Sequence, residues 1–265
     1  MSGDGAATGP ERLTAITLSA LPHGFFTRRG GVSEGGFASL NCSLSGRDDP
    51  ARVARNRALC AASLGLAPGA LLGLHQVHGA GVVVARAPWP DEARPEADGV
   101  VTDVPGLALG IVTADCLPVL FADREAGVVG ACHAGWRGAV AGVLEATLGA
   151  MERLGARRGR VAAALGPCVR QPSYEVGPEL YDAVGDARWF VPSEGRPGHL
   201  RFDLPGYAAD RLRAAGAGWI ETVVADTLSD EARFFSHRRR TLRGEGPIGH
   251  QLSVVALPRR VPASA

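Results

Sequence analysis

The chain has 265 residues, 46% of them hydrophobic and 21% charged, with a formal net charge of +1. That balance supports a sizeable globular core and excludes a disordered polar chain and a polybasic surface made for nucleic acid or an acidic membrane. No apolar run approaches the roughly 18 residues that span a bilayer, and the five cysteines (Cys42, Cys60, Cys116, Cys132, Cys168) are odd in number without a disulfide-like spacing, so a cytoplasmic protein with reduced thiols is expected.

Met1 to Arg12 is small and polar, reads as a disordered tail, and lacks the basic start and apolar stretch of a secretory leader. A single domain is expected over 13–260. "LTAITL" and "HGFFTR" read as short strands, and Arg28 to Gly36 as a glycine-rich loop. Asp49 is a good N-cap and Pro50 suits a first helical position, so a helix opens there. "ALLGLHQVHGAGVVVA" predicts two strands joined at His78-Gly79, followed by an acidic, proline-rich surface loop from Pro88 to Ala97. Strands are expected around 107–113, 117–122 and 127–133.

From Arg137 the apolar residues Val140, Val143, Leu144, Leu148, Met151 and Leu154 take a helical period. "RVAAALGPCV" reads as a buried strand ending in a Gly-Pro turn. Helices are expected over 177–184 and 204–215, the second capped by Asp203. "WIETVVAD" and "HQLSVVAL" read as late strands. Strands and helices interleave without clean alternation, which fits one mixed-sheet α+β or layered α/β domain.

The stretch "GIVTADCLPVLFADREAGVVGACHAGWRG" carries the chemistry. Cys116 stands at the end of one apolar run and His133 at the end of the next, 17 residues on. Neighbouring strands could deliver both to one point. His78 stands at another strand-to-turn junction, so His78, Cys116 and His133 could hold a metal with one coordination position left open. His75, three residues earlier, would face the other way. A thiol and an imidazole can equally form a nucleophilic pair, Cys116 attacking a carbonyl while His133 activates it. Asp115 could then orient the histidine or move a proton, or simply serve its own turn.

Arg28 and Arg29 precede the glycine-rich loop and could bind an anion, with Asn41 nearby, although no dinucleotide or P-loop spacing is present. Arg137 opens a helix whose N-terminus favours anions. Trp136 could stack on a flat base. Arg238, Arg239, Arg240 and Arg243 read as a solvated basic turn, since nucleic-acid binding needs a wider basic surface than a neutral chain offers.

Nine segments, in order, carry a resemblance: "HGFFTRRGGVSEGGFASLN", "DDPARVARNR", "QVHG", "ADGVVTD", "TADCLPVLFAD", "HAGWRG", "LGPCVRQPSYEVG", "FDLPGYA" and "FFSHRR". Over about residues 22 to 257 the chain resembles the bacterial YfiH-like family, formerly described as laccase-domain or multicopper polyphenol oxidases and now as purine nucleoside phosphorylases. The resemblance implies a single layered α/β/β domain, a monomer, with zinc held by His78, Cys116 and His133 and copper possible in vitro. It implies broad phosphorolysis of adenosine, inosine, guanosine and methylthioadenosine, with hydrolytic deamination of adenosine. The ligands would be a small-molecule nucleoside and phosphate. Arg28, Asn41 and Arg137 would bind substrate or phosphate, and Asp115 would assist Cys116 and His133.

Two positions depart from the family pattern: Ala225-Asp226-Thr227 where a cysteine often precedes the threonine, and His237 where tyrosine is common. With only seven histidines, a multicopper centre fits poorly. The Cys/His arrangement is shared with cysteine-dependent deamidating toxins, and an editing role on peptidoglycan precursors has been attached to bacterial relatives. A cysteine-dependent hydrolase using Cys116 and His133 therefore stands as the alternative.

Overall fold

In the strand Leu117–Asp123 every residue is buried, and alternate side chains enter different cores. Leu117, Val119 and Phe121 join one apolar cluster, whereas Leu120 and Ala122 join another. A strand buried on both faces has to lie in a middle layer. The computed structural model, which describes residues 9–194 and 196–259, shows what covers each face.

The middle layer is a six-stranded mixed sheet in the order Trp219–Thr222, Ala162–Leu165, Leu117–Asp123, Val128–Ala134, Gly99–Thr102, Val82–Val84. Against one face packs a five-stranded sheet in the order Arg12–Leu13, His23–Phe26, Gln251–Ala256, Ala108–Thr113, Leu71–Leu72. Phe25, Leu109, Ile111 and Val255 meet Leu120, Val129 and Ala131 between the sheets. The helices Val143–Arg153 and Leu204–Ala214 cover the other face, burying Leu144, Leu148 and Met151 with Phe121. The helix Pro50–Ser63 closes the outside of the five-stranded sheet, where Cys60 packs with Leu252 and Val254. The result is a single α+β domain in layers, as expected.

Capping follows the sequence. Asp49 accepts from Ala51 N at 2.8 Å, and Asp203 from Gly206 N at 3.1 Å. Other expectations need correction. "LTAITL" is no strand beyond Leu13: Ile16–Leu18 forms a 3-10 turn whose backbone N–H groups at Ile16 and Thr17 donate to Glu221. The expected strand pair across His78-Gly79 is not a hairpin, because Leu71–Leu72 belongs to the five-stranded sheet and Val82–Val84 to the six-stranded one.

The helix expected from Arg137 breaks at Gly142 (φ 94°) into Trp136–Ala141 and Val143–Arg153. Arg238 to Arg243 is a helix, His237–Arg243, and no solvated turn. Within it Arg239 is buried and donates to the carbonyls of Thr227, Leu228 and Phe234. A third sheet of Glu175–Val176, Leu200–Phe202 and Phe190–Pro192 was not expected. Of the expected tail, residues 1–8 lie outside the described residues, and so does residue 260 of the expected domain; Arg12 already pairs with Phe26. No helix among the described residues is long and apolar enough to cross a membrane.

Candidate active site

Strand parity explains why Cys116 and His133 meet. His133 shares the face of Val129 and Ala131, and Cys116 that of Leu120 and Ala122, so both project into the space between the two sheets. The antiparallel register pairs Leu117 with Ala134 and Pro118 with His133. One step further it sets Cys116 opposite Gly135, where an added Cβ would lie 3.0 Å from the Cys116 sulfur. Ala114 and Asp115 carry the chain from one sheet to the other, with Asp115 in the left-handed region (φ 92°).

His78 arrives from the crossing that follows Leu71–Leu72. Its own φ is 60°, an uncommon geometry for a side-chain-bearing residue, and Asp98 maintains it. The Asp98 carboxylate accepts the backbone N–H groups of Val77, His78 and Gly79 at 3.2, 3.0 and 2.7 Å. It also accepts Nδ1–H of His133 at 2.8 Å, which leaves Nε2 of that ring for the cluster. One buried carboxylate thus fixes two of the three candidate ligands.

The donor atoms of His78, Cys116 and His133 all lie within 4.8 Å of one another, and Cys116 Sγ is 3.9 Å from His78 Nε2. Among the described residues this is the cluster able to hold a metal ion. Burial disfavours the Cys116 thiolate, but the charge of His133 and hydrogen bonds from His133 and His78 outweigh it and lower the pKa. Burial likewise disfavours a charged His133, yet Cys116 and Asp98 raise it. A low thiol pKa beside a raised imidazole is the signature of a thiolate–imidazolium pair, and a thiolate is also the form that binds metal.

The three residues stand in the wall of a cleft of 680 Å³, within the range of small-molecule sites. Leu74, Val112, Val169, Leu204, Trp136 and Tyr174 give it apolar and aromatic walls, and Ser43, Ser45, Arg94, His237, Arg238 and His250 give it polar ones. Burial, with His237, His133 and Arg240 nearby, lowers His250 to about 4, so its ring is neutral at pH 7; among the described residues its buried Nδ1 has no partner.

Other expected residues are placed differently. Asp115 borders the cleft, but its carboxylate is taken up by Thr227 Oγ1 (2.6 Å), Ser236 Oγ (2.9 Å) and Arg238 N (2.7 Å), which pin the cleft wall. Arg137 stacks on Trp136 at 4.4 Å, pairs with Glu179 at 3.4 Å, and lines a smaller crevice beside the cleft. Arg28 and Asn41 do not line the cleft. The Arg28 guanidinium lies over Phe235 and donates to the carbonyls of Ala38 and Glu231. Asn41 is buried and ties Ser43 N, His250 N and Asp48 together.

His75 is exposed, away from the cluster, near Glu96. Of the two departing positions, His237 lines the cleft and Ala225 does not. Sequence reasoning missed Asp98, Arg94 and His250. Only Asp98 left a trace: in "ADGVVTD" an acid directly precedes a fully buried strand, where a carboxylate must have partners.

The family described as multi-copper polyphenol oxidoreductase laccase matches residues 22–258. A Deinococcus radiodurans protein named purine nucleoside phosphorylase is 46% identical over 260 residues, covering 96% of each chain. One so named from Streptomyces griseus is 42% identical over 235 residues, 87% of this chain and 94% of that one. Among solved structures, Bacillus licheniformis YfiH superposes with a TM-score of 0.85 at 28% identity over 95% of this chain and 97% of that one. Geobacillus stearothermophilus YlmD gives 0.83 at 30% identity over 96% and 97%.

Proposed function

Because the chain belongs to the multi-copper polyphenol oxidoreductase laccase family, whose similar members carry the name purine nucleoside phosphorylase, we propose that it cleaves purine nucleosides with phosphate. The observation that carries this reading is the aromatic-walled cleft that has the His78–Cys116–His133 cluster in its wall. One cluster of three donors offers a single ion site, which does not suit a multicopper oxidase. It does suit zinc: two imidazoles and a thiolate are its usual ligands, and the second ring nitrogen of His133 is already engaged by Asp98. When bound there, zinc would supply a Lewis acid and an acidified water, the chemistry that deamination of adenosine requires.

The chain's own residues do the rest. Trp136 and Tyr174 present ring surface to a planar base, and Val169 and Leu204 exclude water around it. Neutral His250 adds an uncharged polar ring to the cleft wall. In phosphorolysis a phosphate oxygen bonds to C1′ of the sugar while the C1′–N9 bond breaks. The bonding pair leaves with the base, which takes up a proton, and ribose 1-phosphate remains. In this reading Asp115 and Arg137 hold the cleft around the substrate, while Arg28 and Asn41 support its loops from behind.

A second reading has an observation of its own. Cys116, His133 and Asp98 form a thiol–imidazole–carboxylate row, and on geometry alone that row supports a cysteine-dependent hydrolase more directly than it supports deamination. Cys116 would attack an amide carbonyl, His133 would protonate the leaving amine, and water would then release the acyl group. A peptidoglycan precursor would be one such amide.

The deciding experiment follows adenosine by chromatography with and without phosphate. Adenine that appears only with phosphate, together with ribose 1-phosphate, supports phosphorolysis; inosine independent of phosphate supports deamination. Absence of both, with loss of hydrolysis on alkylating Cys116, moves the conclusion to the hydrolase.

A further inference from the structure

The cleft holds two arginines at separate places, Arg94 and Arg238, and their surroundings differ. Arg238 donates from its guanidinium to the Glu175 carbonyl and shares the side crevice with the carboxylates of Glu175 and Glu179. Those carboxylates would compete with any anion. Arg94 has no carboxylate within ion-pair distance among the described residues. Its Nε donates to the Asp91 carbonyl at 2.7 Å, which anchors the guanidinium, and among the described residues its terminal nitrogens have no acceptor.

Behind Arg94 stands a second cation. Arg57 is 7% exposed, and its guanidinium donates to the carbonyls of Cys42 (3.4 Å) and Leu71 (3.2 Å), with no carboxylate in ion-pair reach among the described residues. Asp91 acts on it only from further away, and Arg94 opposes that effect. Leu44, Gln76 and Arg94 line both the cleft and the narrow crevice in which Arg57 lies. A Cβ added at Gly73 would touch Arg57, Leu44 and Arg94 together, at 3.4, 3.4 and 3.6 Å. Burying a cation without a counter-ion is costly, and an anion drawn to this end of the cleft would offset the cost. Ser43 and Ser45, on either side of Leu44, add donors at the same end.

We propose that Arg94, backed by the buried Arg57 and flanked by Ser43 and Ser45, forms the anion subsite of the cleft and binds the inorganic phosphate that attacks C1′. The inference rests on the phosphorylase reading above for the identity of the anion. Its position suits that role. Leu74, Gln76 and His78 follow one another along the cleft wall, so the four steps from Leu74 to His78 span at most about 14 Å. A single nucleoside can therefore lie with its base toward the metal cluster and its sugar toward Arg94. The phosphate oxygen then bonds to C1′ as the C1′–N9 pair departs with the base, and no oxidant or reductant is needed.

The test uses the full chain, with inorganic phosphate as the probe. Phosphate binding is measured by calorimetry without nucleoside, and phosphate and adenosine KM values are measured in turnover, for wild type, Arg94→Gln and Arg238→Gln. Arg57 is left intact because a substitution there threatens folding. The expected result is that Arg94→Gln weakens phosphate binding at least tenfold with little change in adenosine KM, and that Arg238→Gln weakens it less. Unchanged phosphate affinity in Arg94→Gln, a larger loss in Arg238→Gln, or no phosphate binding by wild type would each overturn the subsite. Phosphate binding that depends on Arg94 without release of any base would support the anion subsite and refute phosphorolysis, so the two failures are distinguishable.

Discussion

Asp98 and His133, 35 residues apart in sequence, share a 2.8 Å hydrogen bond between a fully buried carboxylate and a buried imidazole, and their strands are bonded again through His133 N and the Asp98 carbonyl. The same carboxylate accepts three consecutive backbone N–H groups at His78. It has four donors to satisfy, and an amide in its place could satisfy only some of them, because its NH2 would face other N–H groups.

Asp98→Asn is therefore expected to loosen both histidines at once. Metal affinity should fall about 10- to 100-fold, the usual effect of removing a group that orients a ligand, and the melting temperature should fall with it. A competition titration with a chromophoric chelator reads the first quantity and calorimetry the second. If the Asp98→Asn variant binds metal as tightly as wild type, the carboxylate does not orient the ligands.

The cluster itself was legible because it depends on local rules: apolar runs give strands, parity gives faces, and strand ends give positions. His78, Cys116 and His133 follow from those rules. Asp98 escaped because its partners are set by how the strand Gly99–Thr102 pairs with Val128–Ala134, a long-range choice that no local pattern announces. The turn signal at His78-Gly79 was sound, but membership of the two flanking strands in different sheets was hidden for the same reason. Arg28 and Asn41 lie close to the glycine-rich loop in sequence, but in the fold the Arg28 guanidinium donates to two backbone carbonyls and the Asn41 amide is held by Asp48 and two backbone N–H groups. Arg94 carries no local signal, because it lies within a proline-rich stretch, Pro88 to Ala97, that reads as acidic surface.

Removing one ligand should separate the metal and thiolate readings. Wild type is expected to carry about one zinc ion per chain, and His78→Ala to lose it, as measured by elemental analysis after dialysis. In the hydrolase reading His78 is dispensable, and iodoacetamide blocks a metal-free wild type through Cys116. Full occupancy in His78→Ala would refute the three-ligand site.

Acid stability should depend on Asp123, at the far end of the same strand from Cys116. Its buried carboxylate accepts from Arg157 N (2.9 Å) and Ala126 N (3.1 Å) and pairs with Arg160 at 3.0 Å. Burial opposes ionisation there, but these donors outweigh it and hold the pKa below the ordinary value. A lowered carboxylate pKa gives stability that is fully present above the unfolded value, about 3.9, and is lost as pH falls through the folded one. Asp123→Asn should thus be less stable than wild type at pH 7, and the gap should close below about pH 4. Urea unfolding at pH 7, 5 and 3 would follow it; a gap that stays constant with pH would refute the assignment.

Gly135 offers the most selective perturbation of the cluster. Its backbone (φ −62°, ψ 161°) suits alanine, so Gly135→Ala introduces no backbone strain. The new Cβ would instead lie 3.0 Å from Cys116 Sγ and 3.2 Å from His78 Cδ2, and the two ligands must give way by a few tenths of an ångström. Gly135 also caps the helix Trp136–Ala141, where alanine is a poorer cap by roughly 0.5–1 kcal/mol. Stability should drop by about that amount, whereas metal affinity should drop about tenfold or more. Gly159→Ala, where an added Cβ meets open space, serves as the control and should change neither. Cobalt substitution gives a direct readout, since the thiolate-to-metal absorption band reports the Cys116 bond itself. A Gly135→Ala protein with an unaltered cobalt spectrum and wild-type affinity would mean that the Cys116 sulfur does not hold the metal where the strand register places it.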